Sequence, residues 1–225
     1  MVKIAFLTIG QSPRIDIMKD IKSLLPSNIE IIEIGALDNL SEKEINSLAP
    51  SNENEKEILV SRLRNGKQVL INKKKLIPLI KKCIKNIEDH VDSIVLLCTD
   101  DFPEINSKKI LIMPSKLLNS FVSIINGKIL GIVVPIEKQI NLAKKRWSKI
   151  FPKKIIIHSY SPYTNEEIKI KDFEDFKFVD LIVLDCIGYT IEHKIYMYKT
   201  FKKPIILPRT LIAKTINEIY CSEAI

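Results

Sequence analysis

The sequence predicts an α/β protein of two pseudo-symmetric lobes, each a mainly parallel sheet flanked by helices, with an active-site cleft between the lobes. Short β-branched runs alternate with helical patterns along the 225 residues, which is typical of parallel sheets built from strand–helix–strand units. Several strand-like runs are apolar almost throughout, as in strands that are covered on both faces. A partial internal repeat divides the chain into two halves.

Eight short runs rich in Ile, Val and Leu are predicted to be strands. They are Lys3–Ile9, Glu30–Ile34, Ser93–Cys98, Ile110–Met113, Leu130–Val134, Lys154–Ile157, Leu181–Cys186 and Pro204–Leu207. A hairpin is predicted between Ile58 and Asn72, with its turn at Asn65-Gly66, because this dipeptide favours tight hairpin turns. We expect the hairpin to be an antiparallel addition to an otherwise parallel sheet.

Seven segments are predicted to be helices because their apolar residues recur at helical spacing. They are Pro13–Leu25, Ser41–Ala49, Lys74–Ile87, Ser115–Ile125, Glu137–Ile150, Glu192–Thr200 and Arg209–Cys221. Ser41, followed three residues later by Glu44, is a capping-box pattern. Pro13 suits the first turn of the first helix, where its missing N–H has no partner to lose.

The internal repeat places two of the four cysteines at equivalent positions. Residues 91–98 (VDSIVLLC) and 179–186 (VDLIVLDC) are identical at six of eight positions, and each is followed by a second partial match, between 108–117 and 202–211. Two matches in the same order favour duplicated halves over a coincidence of similar strands. We predict a first lobe over residues 1–115, joined by a C-terminal helix over 209–225, and a second lobe over 116–208.

Cys98 and Cys186 are candidate catalytic residues because each ends a predicted strand. Ligands of open α/β sheets bind beyond the carboxyl ends of the strands, so two facing lobes would bring both thiols to a shared cleft from opposite sides. One thiol could then remove a proton from a carbon while the other returns a proton to the opposite face. A thiol suits both steps, since its environment can move its pKa toward neutrality. Cys83 and Cys221 are interpreted as structural or incidental.

Proton removal beside a carboxylate develops negative charge, which needs hydrogen-bond donors or a cation. The candidate substrate-binding residues lie in the loops after the first strand and after each thiol: Thr8, Gly10, Gln11, Ser12, Arg14, Thr99, Gly188, Tyr189 and Thr190. Arg14 is one of only five arginines in a chain rich in lysine. Two roles are open for Arg14, namely binding of a substrate carboxylate or phosphate and an interlobe salt bridge.

Composition excludes several classes of function. The net charge is +8, but the lysine pairs are scattered and lack the stacking aromatics or module of a nucleic-acid surface, so we expect a small anionic metabolite and no nucleic acid. No apolar run approaches the roughly 18 residues of a membrane helix, and no membrane partner is expected. The N-terminus resembles a first strand rather than a signal peptide, which favours a cytoplasmic protein. Cysteine spacing predicts no metal site, no cofactor is expected, and a homodimer is left open.

Three stretches resemble the AroM family of bacterial proteins over essentially the whole chain. They are LTIGQSPRIDI (7–17), GIVVPIEKQ (131–139) and VLDCIGY (183–189), followed by LIA after PR within 208–213. That family is more distantly similar to the aspartate/glutamate racemase superfamily. The resemblance implies two pseudo-symmetric α/β lobes and two cysteines that act without a metal or an organic cofactor.

The superfamily motifs resemble Cys-Asn-Thr in the first lobe and Gly-Cys-Thr-His in the second. Here the corresponding residues are CTD at 98–100 and DCIGY at 185–189. Asp185 thus replaces the glycine, Ile187 replaces the threonine, and no histidine follows directly. The resemblance implies a cofactor-independent racemase or isomerase-like enzyme that acts on a small carboxylate, such as an amino acid, through Cys98 and Cys186.

Two alternatives stay open beside this prediction. One is a one-cysteine decarboxylase or isomerase of the same fold, in which Cys186 acts and Cys98 assists. The other is a non-catalytic protein that binds a small anion.

Overall fold

The computed structural model describes residues 1–51, 57–164 and 170–221 and contains two four-stranded parallel sheets. The first sheet has the order β2-β1-β5-β6, with β1 (Val2–Thr8), β2 (Ile29–Gly35), β5 (Ser93–Leu97) and β6 (Ile110–Ile112). The second has the order β8-β7-β9-β10, with β7 (Ile129–Val134), β8 (Lys154–Ser159), β9 (Leu181–Leu184) and β10 (Ile205–Ile206). The predicted α/β class with two lobes is confirmed.

Seven α-helices connect and flank the strands in the described part of the chain. They are α1 (Ile15–Lys22), α2 (Glu42–Ser47), α3 (Lys73–Ile87), α4 (Pro114–Ser123), α5 (Ile140–Ile150), α6 (Ile191–Phe201) and α7 (Pro208–Tyr220). Short 3₁₀ segments occur at Glu88–His90, Glu137–Gln139 and Ile170–Phe178. Across the described residues, no helix is both long enough and apolar enough to cross a membrane.

Two local predictions about helix starts had different outcomes. The capping box is confirmed, because Ser41 and Glu44 exchange side chain–backbone hydrogen bonds at the start of α2. The prediction that Pro13 lies in the first turn of a helix is wrong. The Ser12–Pro13 peptide is cis, Arg14 is the N-cap and α1 begins at Ile15.

The hairpin forms at the predicted residues but not in the predicted sheet. β3 (Ile58–Arg62) and β4 (Gln68–Asn72) pair with each other as a separate two-stranded sheet. Its turn is also shifted, because the Gly66 N–H donates to the Leu63 carbonyl at 2.9 Å, so Arg64 and Asn65 are the central residues. Gly66 follows them with φ of +87°, a conformation that favours glycine.

The two parallel sheets repeat each other strand by strand, with β1, β2, β5 and β6 equivalent to β7, β8, β9 and β10. The hydrogen bonds made just before the equivalent strands β5 and β9 match as well. Asp92 before β5 exchanges hydrogen bonds with the backbone of Lys3, and Asp180 before β9 does so with the backbone of Ile129. The repeated sequence therefore marks equivalent elements, and it sets Cys98 and Cys186 at the same point beyond their strands.

The helices after the last strand of each sheet pack on the opposite sheet. Leu118 and Val122 of α4 are buried among residues of β7 and β9, whereas Ile212 and Ile216 of α7 are buried with β1 and α1. The chain thus passes between the lobes at two places, near Met113 and near Leu207. The lobe boundaries given above stay a prediction, and residues 222–225 of the predicted C-terminal helix lie outside the described residues.

Candidate functional site

The two candidate thiols line the same small pocket. Cys98 follows β5 and Cys186 follows β9, and they are 8% and 6% exposed. The pocket has a volume of about 30 Å³ and is lined by both lobes, with Arg14, Thr99 and Tyr163 among its walls. This volume suffices for one or two water molecules. A substrate therefore needs the pocket to enlarge, and the open cleft expected between the lobes stays a prediction.

The backbone holds both sulfurs in the same way. The N–H of each cysteine donates to the carbonyl two residues before it, at 2.7 Å for Cys98 and 2.9 Å for Cys186. The residue two positions later turns its N–H toward the sulfur: Gly188 lies 3.4 Å from the Cys186 Sγ, and the Asp100 N–H bonds the Cys98 Sγ. The duplication thus gives each sulfur one backbone donor.

The charges around the two sulfurs differ. Burial raises the pKa of both thiols, because a thiolate is poorly solvated inside a protein. At Cys98 the Asp100 carboxylate raises the pKa further, and the Asp100 N–H and Lys73 oppose it only in part. At Cys186 the Gly188 N–H, the Tyr163 hydroxyl and the Arg14 cation favour the thiolate and oppose the rise in pKa, whereas the Asp185 carboxylate adds to it.

Arg14 is a buried cation beside the second thiol. Its Nε and Nη2 donate to the two carboxylate oxygens of Asp16, both at 2.8 Å, and its Nη1 donates to the Thr8 Oγ1 at 3.2 Å. Although burial lowers the Arg14 pKa, the bond to Asp16 raises it above its usual value. The carboxylate that pairs with Arg14 belongs to its own helix, so the interlobe salt bridge is not formed. A ligand-binding role stays a prediction.

The loop after β1 makes structural contacts in the present conformation. Its hydrogen bonds run to the hairpin and to the loop after β2. Ser12 donates from its N–H and its hydroxyl to Asp38, at 2.7 and 2.6 Å, and the Gln11 side chain is bonded to Leu37 and Arg64. Thr8 supports Arg14 and accepts the Gly10 N–H at 3.2 Å. Their proposed contacts with a substrate stay predictions.

Of the predicted residues that follow the thiols, two lie at the pocket or the sulfur and two make structural contacts. Thr99 lines the pocket and donates from its hydroxyl to the Asp185 carbonyl at 3.2 Å. Gly188 contacts the Cys186 sulfur through its N–H. Tyr189 is buried in the second lobe with its hydroxyl on the Tyr160 carbonyl, and Thr190 caps α6.

Arg146 of α5, absent from our predicted set, connects the two thiol loops. Its Nη1 donates to the Thr99 carbonyl at 3.0 Å, and its Nη2 donates to the Asp185 carboxylate. The Trp147 indole N–H donates to the same carboxylate oxygen at 2.8 Å. Residues adjacent to Cys98 and to Cys186 are therefore joined through one side chain. The scarcity of arginine was the only sequence signal for Arg146.

Tyr163, which follows β8, was also absent from the predicted set. Its hydroxyl lies 3.8 Å from the Cys186 Sγ, and the Arg14 guanidinium lies 5.7 Å from the centroid of its ring. Tyr163 and Cys186 are 23 residues apart in the chain. No local motif links the two residues, so sequence reasoning could not find this contact.

A larger cavity adjoins the thiol pocket. Its volume is about 520 Å³, and it shares Thr99, Asp100, Gln139 and Asp185 with the smaller pocket. Three basic residues of α5, Lys145, Arg146 and Lys149, contribute to its walls. As for metals, the described ranges contain no group of three or more His, Cys, Asp or Glu side chains placed to hold one.

Comparison with known proteins bears on the family and the fold. A family model described as AroM protein matches residues 4–220, and no curated protein sequence matches the chain. Among solved structures, allantoin racemase from Klebsiella pneumoniae is similar at 13% identity and a TM-score of 0.64, over 98% of this chain and 88% of that one.

Two further solved structures have the same fold. Aspartate racemase from Picrophilus torridus is 14% identical, with a TM-score of 0.58 over 96% of this chain and 94% of that one. Maleate isomerase from Pseudomonas putida S16, solved with maleate, is 10% identical, with a TM-score of 0.61 over 97% and 91%. At such identities the likeness establishes the aspartate/glutamate racemase fold alone.

Proposed function

This chain belongs to the AroM family and has the aspartate/glutamate racemase fold, and we propose that it is a cofactor-independent racemase or isomerase-like enzyme. Its substrate is a small carboxylate, an amino acid or a related compound, and Cys98 and Cys186 exchange protons with it. The observation that carries the proposal is the pair of buried thiols at equivalent strand ends, both lining one pocket. The racemases and the isomerase among the similar structures support this class of reaction.

The difference between the two sulfurs assigns each of them a starting role for one direction of the reaction. Cys186, which has more groups that favour its thiolate, removes the proton from the substrate carbon and becomes a thiol. Cys98, whose pKa is raised by burial and by Asp100, is protonated at rest and gives its proton to the opposite face of the carbon. One proton leaves the carbon and one returns, so the product is the mirror-image centre and the thiols have exchanged states.

The negative charge that develops on the substrate needs a partner. Arg14 is 3% exposed, lines the thiol pocket and is held cationic by Asp16. A buried cation acts strongly on such a charge, because little water screens it. We assign Arg14 to the substrate carboxylate, and Thr99 lines the same pocket.

Room for the rest of the substrate lies in the adjoining cavity. The thiol pocket alone holds one or two waters, whereas the cavity of about 520 Å³ shares four of its residues. Separation of the residues around Thr99 and Asp185 would join the two spaces. The cavity wall carries four basic residues (Lys73, Lys145, Arg146 and Lys149) and four acidic ones (Glu57, Asp100, Asp101 and Asp185), so we assign the substrate carboxylate to Arg14 and not to this wall.

The one-cysteine alternative is favoured by the same asymmetry. Each thiol has a carboxylate, a backbone N–H and a cation acting on it, but only Cys186 has in addition a side-chain hydroxyl, that of Tyr163, within hydrogen-bond range of its sulfur. A decarboxylase or isomerase could use Cys186 alone, with Cys98 as a neutral neighbour.

Solvent-deuterium exchange tests these proposals directly. The protein is incubated in D₂O with a panel of amino acids, hydantoins and hydroxy acids, and exchange at the acidic carbon is followed by NMR and chiral chromatography. The two-thiol proposal expects exchange with inversion in the parent protein and loss of inversion in both Cys98→Ser and Cys186→Ser.

Matched variants separate the alternatives. Cys83→Ser, which changes a thiol on α3, is the control and should retain activity. Reaction that survives Cys98→Ser but not Cys186→Ser overturns the two-thiol proposal in favour of the one-cysteine enzyme. If no compound of the panel exchanges deuterium while a small anion binds measurably by calorimetry, the protein is a binding protein and both enzymatic proposals fail.

A further inference from the structure

Tyr163 occupies a specific place over the second thiol. Its hydroxyl lies 3.8 Å from the Cys186 Sγ, within hydrogen-bond range for sulfur, and its side chain forms part of the wall of the thiol pocket. The Gly188 N–H reaches the same sulfur at 3.4 Å. Two polar groups therefore converge on Cys186: the Gly188 N–H from the backbone of its own loop, which donates, and the Tyr163 hydroxyl from the loop after β8, which can donate or accept while Cys186 is a thiol.

Gly188 makes the space that Tyr163 fills. A Cβ placed on Gly188 would lie 2.5 Å from the Tyr163 hydroxyl oxygen and 2.8 Å from the Pro162 Cγ. These distances are far below van der Waals contact, so any larger residue at 188 would displace the tyrosine. The short sequence Cys186-Ile187-Gly188 and the tyrosine loop are thus fitted to each other.

The phenol can only be a donor toward a thiolate. Burial raises the pKa of Tyr163, and the neighbouring Cys186 raises it further, so the hydroxyl keeps its proton throughout the ordinary pH range. Arg14 lies against the ring from the other lobe. The titratable groups that act on Cys186 are Asp185, which opposes ionisation, and Arg14 and Tyr163, which favour it, while Cys186 in turn raises the pKa of the neighbouring Cys98 and Tyr189.

We propose that Tyr163 is a catalytic residue whose hydroxyl donates a hydrogen bond to the Cys186 thiolate and supplies the side-chain donor that Ile187 cannot. This inference rests on the proposed function, in which Cys186 accepts a proton from carbon. Tyr163 transfers no proton in that step. The hydrogen bond from the Tyr163 hydroxyl to the sulfur is strong while Cys186 is a thiolate and weakens once Cys186 carries the substrate proton.

The test measures ionisation of Cys186 apart from turnover. In a protein with Cys83→Ser, Cys98→Ser and Cys221→Ser, Cys186 is the single thiol, and its alkylation by iodoacetamide is followed by mass spectrometry across pH. Tyr163→Phe keeps the ring and removes the hydroxyl. We expect the pH profile of alkylation to move to higher pH, with alkylation near pH 8 slower by about 10- to 100-fold, the size of a lost hydrogen bond to an ion.

Two further variants test whether the shift of the profile comes from loss of the hydrogen bond between Tyr163 and Cys186. Tyr198→Phe removes the hydroxyl of an exposed tyrosine on α6 and should leave the profile unchanged. Gly188→Ala displaces the Tyr163 hydroxyl and should move the profile in the same direction as Tyr163→Phe. Combining it with Tyr163→Phe should add less than the two separate shifts, because both remove the same contact.

The outcomes separate this inference from the proposed function. A Tyr163→Phe profile that overlays the parent profile overturns the role of Tyr163, even when deuterium exchange shows that the enzyme is active. A shifted profile in a protein that exchanges no substrate on the panel leaves the hydrogen bond established and removes the reaction it was meant to serve.

Discussion

The two lobes share a backbone plan but differ at the thiols. Each thiol follows the central strand of a four-stranded sheet, and each has a backbone N–H from the residue two positions later. Beyond that plan, Asp100 and Lys73 act on Cys98, whereas Asp185, Arg14 and the Tyr163 hydroxyl act on Cys186. The difference teaches that duplication set the positions of the sulfurs, while unrepeated side chains determine how readily each sulfur ionises.

The helices that follow the last strands differ in a second way. Pro114 begins α4 and Pro208 begins α7, so Ser115 and Arg209 are equivalent in the repeat. Arg209 is fully buried and donates to the carbonyls of Ile187 and Gly188 and to Asp20. The Ser115 hydroxyl is buried without a hydrogen-bond partner in the described structure. One lobe thus acquired an anchor for its thiol loop at a position the other lobe leaves unused.

The largest effect is expected when this anchor is removed. Arg209→Leu removes the cation that pairs with the buried Asp20 carboxylate and the donor to the carbonyls of Asp16, Ile187 and Gly188, which should lower the free energy of unfolding by about 3–5 kcal/mol. Urea denaturation followed by circular dichroism measures the change as a lower midpoint. A loss below about 1 kcal/mol would mean that Arg209 is not an anchor and that the two helix starts are equivalent after all.

The next effect concerns the residue that joins the two thiol loops. Arg146→Met removes the donor to Thr99 and leaves the Asp185 carboxylate with only the Trp147 N–H. Because Arg146 is partly exposed, we expect a smaller loss of unfolding free energy, about 2–3 kcal/mol. Lys145→Met, the exposed neighbour on α5, should change it by no more than about 0.5 kcal/mol. Equal losses in both variants would show that the joining contacts contribute nothing.

Alkaline pH probes both thiols together. Because folding raises their pKa values, the folded protein holds thiol protons that the unfolded chain releases above about pH 8.5. The stabilisation is complete below that pH and is lost as pH rises, by up to about 1.4 kcal/mol per pH unit for each thiol. Denaturation between pH 8 and 10 should show this slope, and the double variant Cys98→Ser/Cys186→Ser should flatten it.

Each single variant then sharpens the comparison between the lobes. Cys98→Ser and Cys186→Ser should each remove part of the decline, because the pKa of each thiol is raised in the folded protein. An undiminished slope in the double variant would assign the decline to other groups, such as the buried Tyr163 and Tyr189.

The smallest effect is expected at Ser115, the residue equivalent to Arg209 in the repeat. Ser115→Ala removes a buried hydroxyl that has no partner, so the free energy of unfolding should change by less than about 1 kcal/mol, with a gain more favoured than a loss. The same denaturation experiment measures it. A loss comparable to that of Arg209→Leu would reveal an essential contact of Ser115 and make the two positions alike.

The sequence by itself predicted the kinds of element and their order. Each predicted strand and helix has a counterpart whose ends differ by at most three residues, since apolar periodicity and turn residues act over a few neighbouring positions. It also predicted that Cys98 and Cys186 are equivalent, because the repeat preserves the residues around each strand end. The hairpin was assigned to the wrong sheet because strand alternation says nothing about the partner of a strand.

Only the tertiary structure determined which side chains surround the thiols. Tyr163, Arg146 and Asp16 contact the site or its residues through hydrogen bonds whose geometry depends on how both lobes pack. Gln11 and Ser12, chosen for their place after a strand, instead bond the neighbouring loop and hairpin. Position along a strand follows from local pattern, whereas the direction of a polar side chain is decided by which distant partner satisfies its hydrogen bonds once water is excluded.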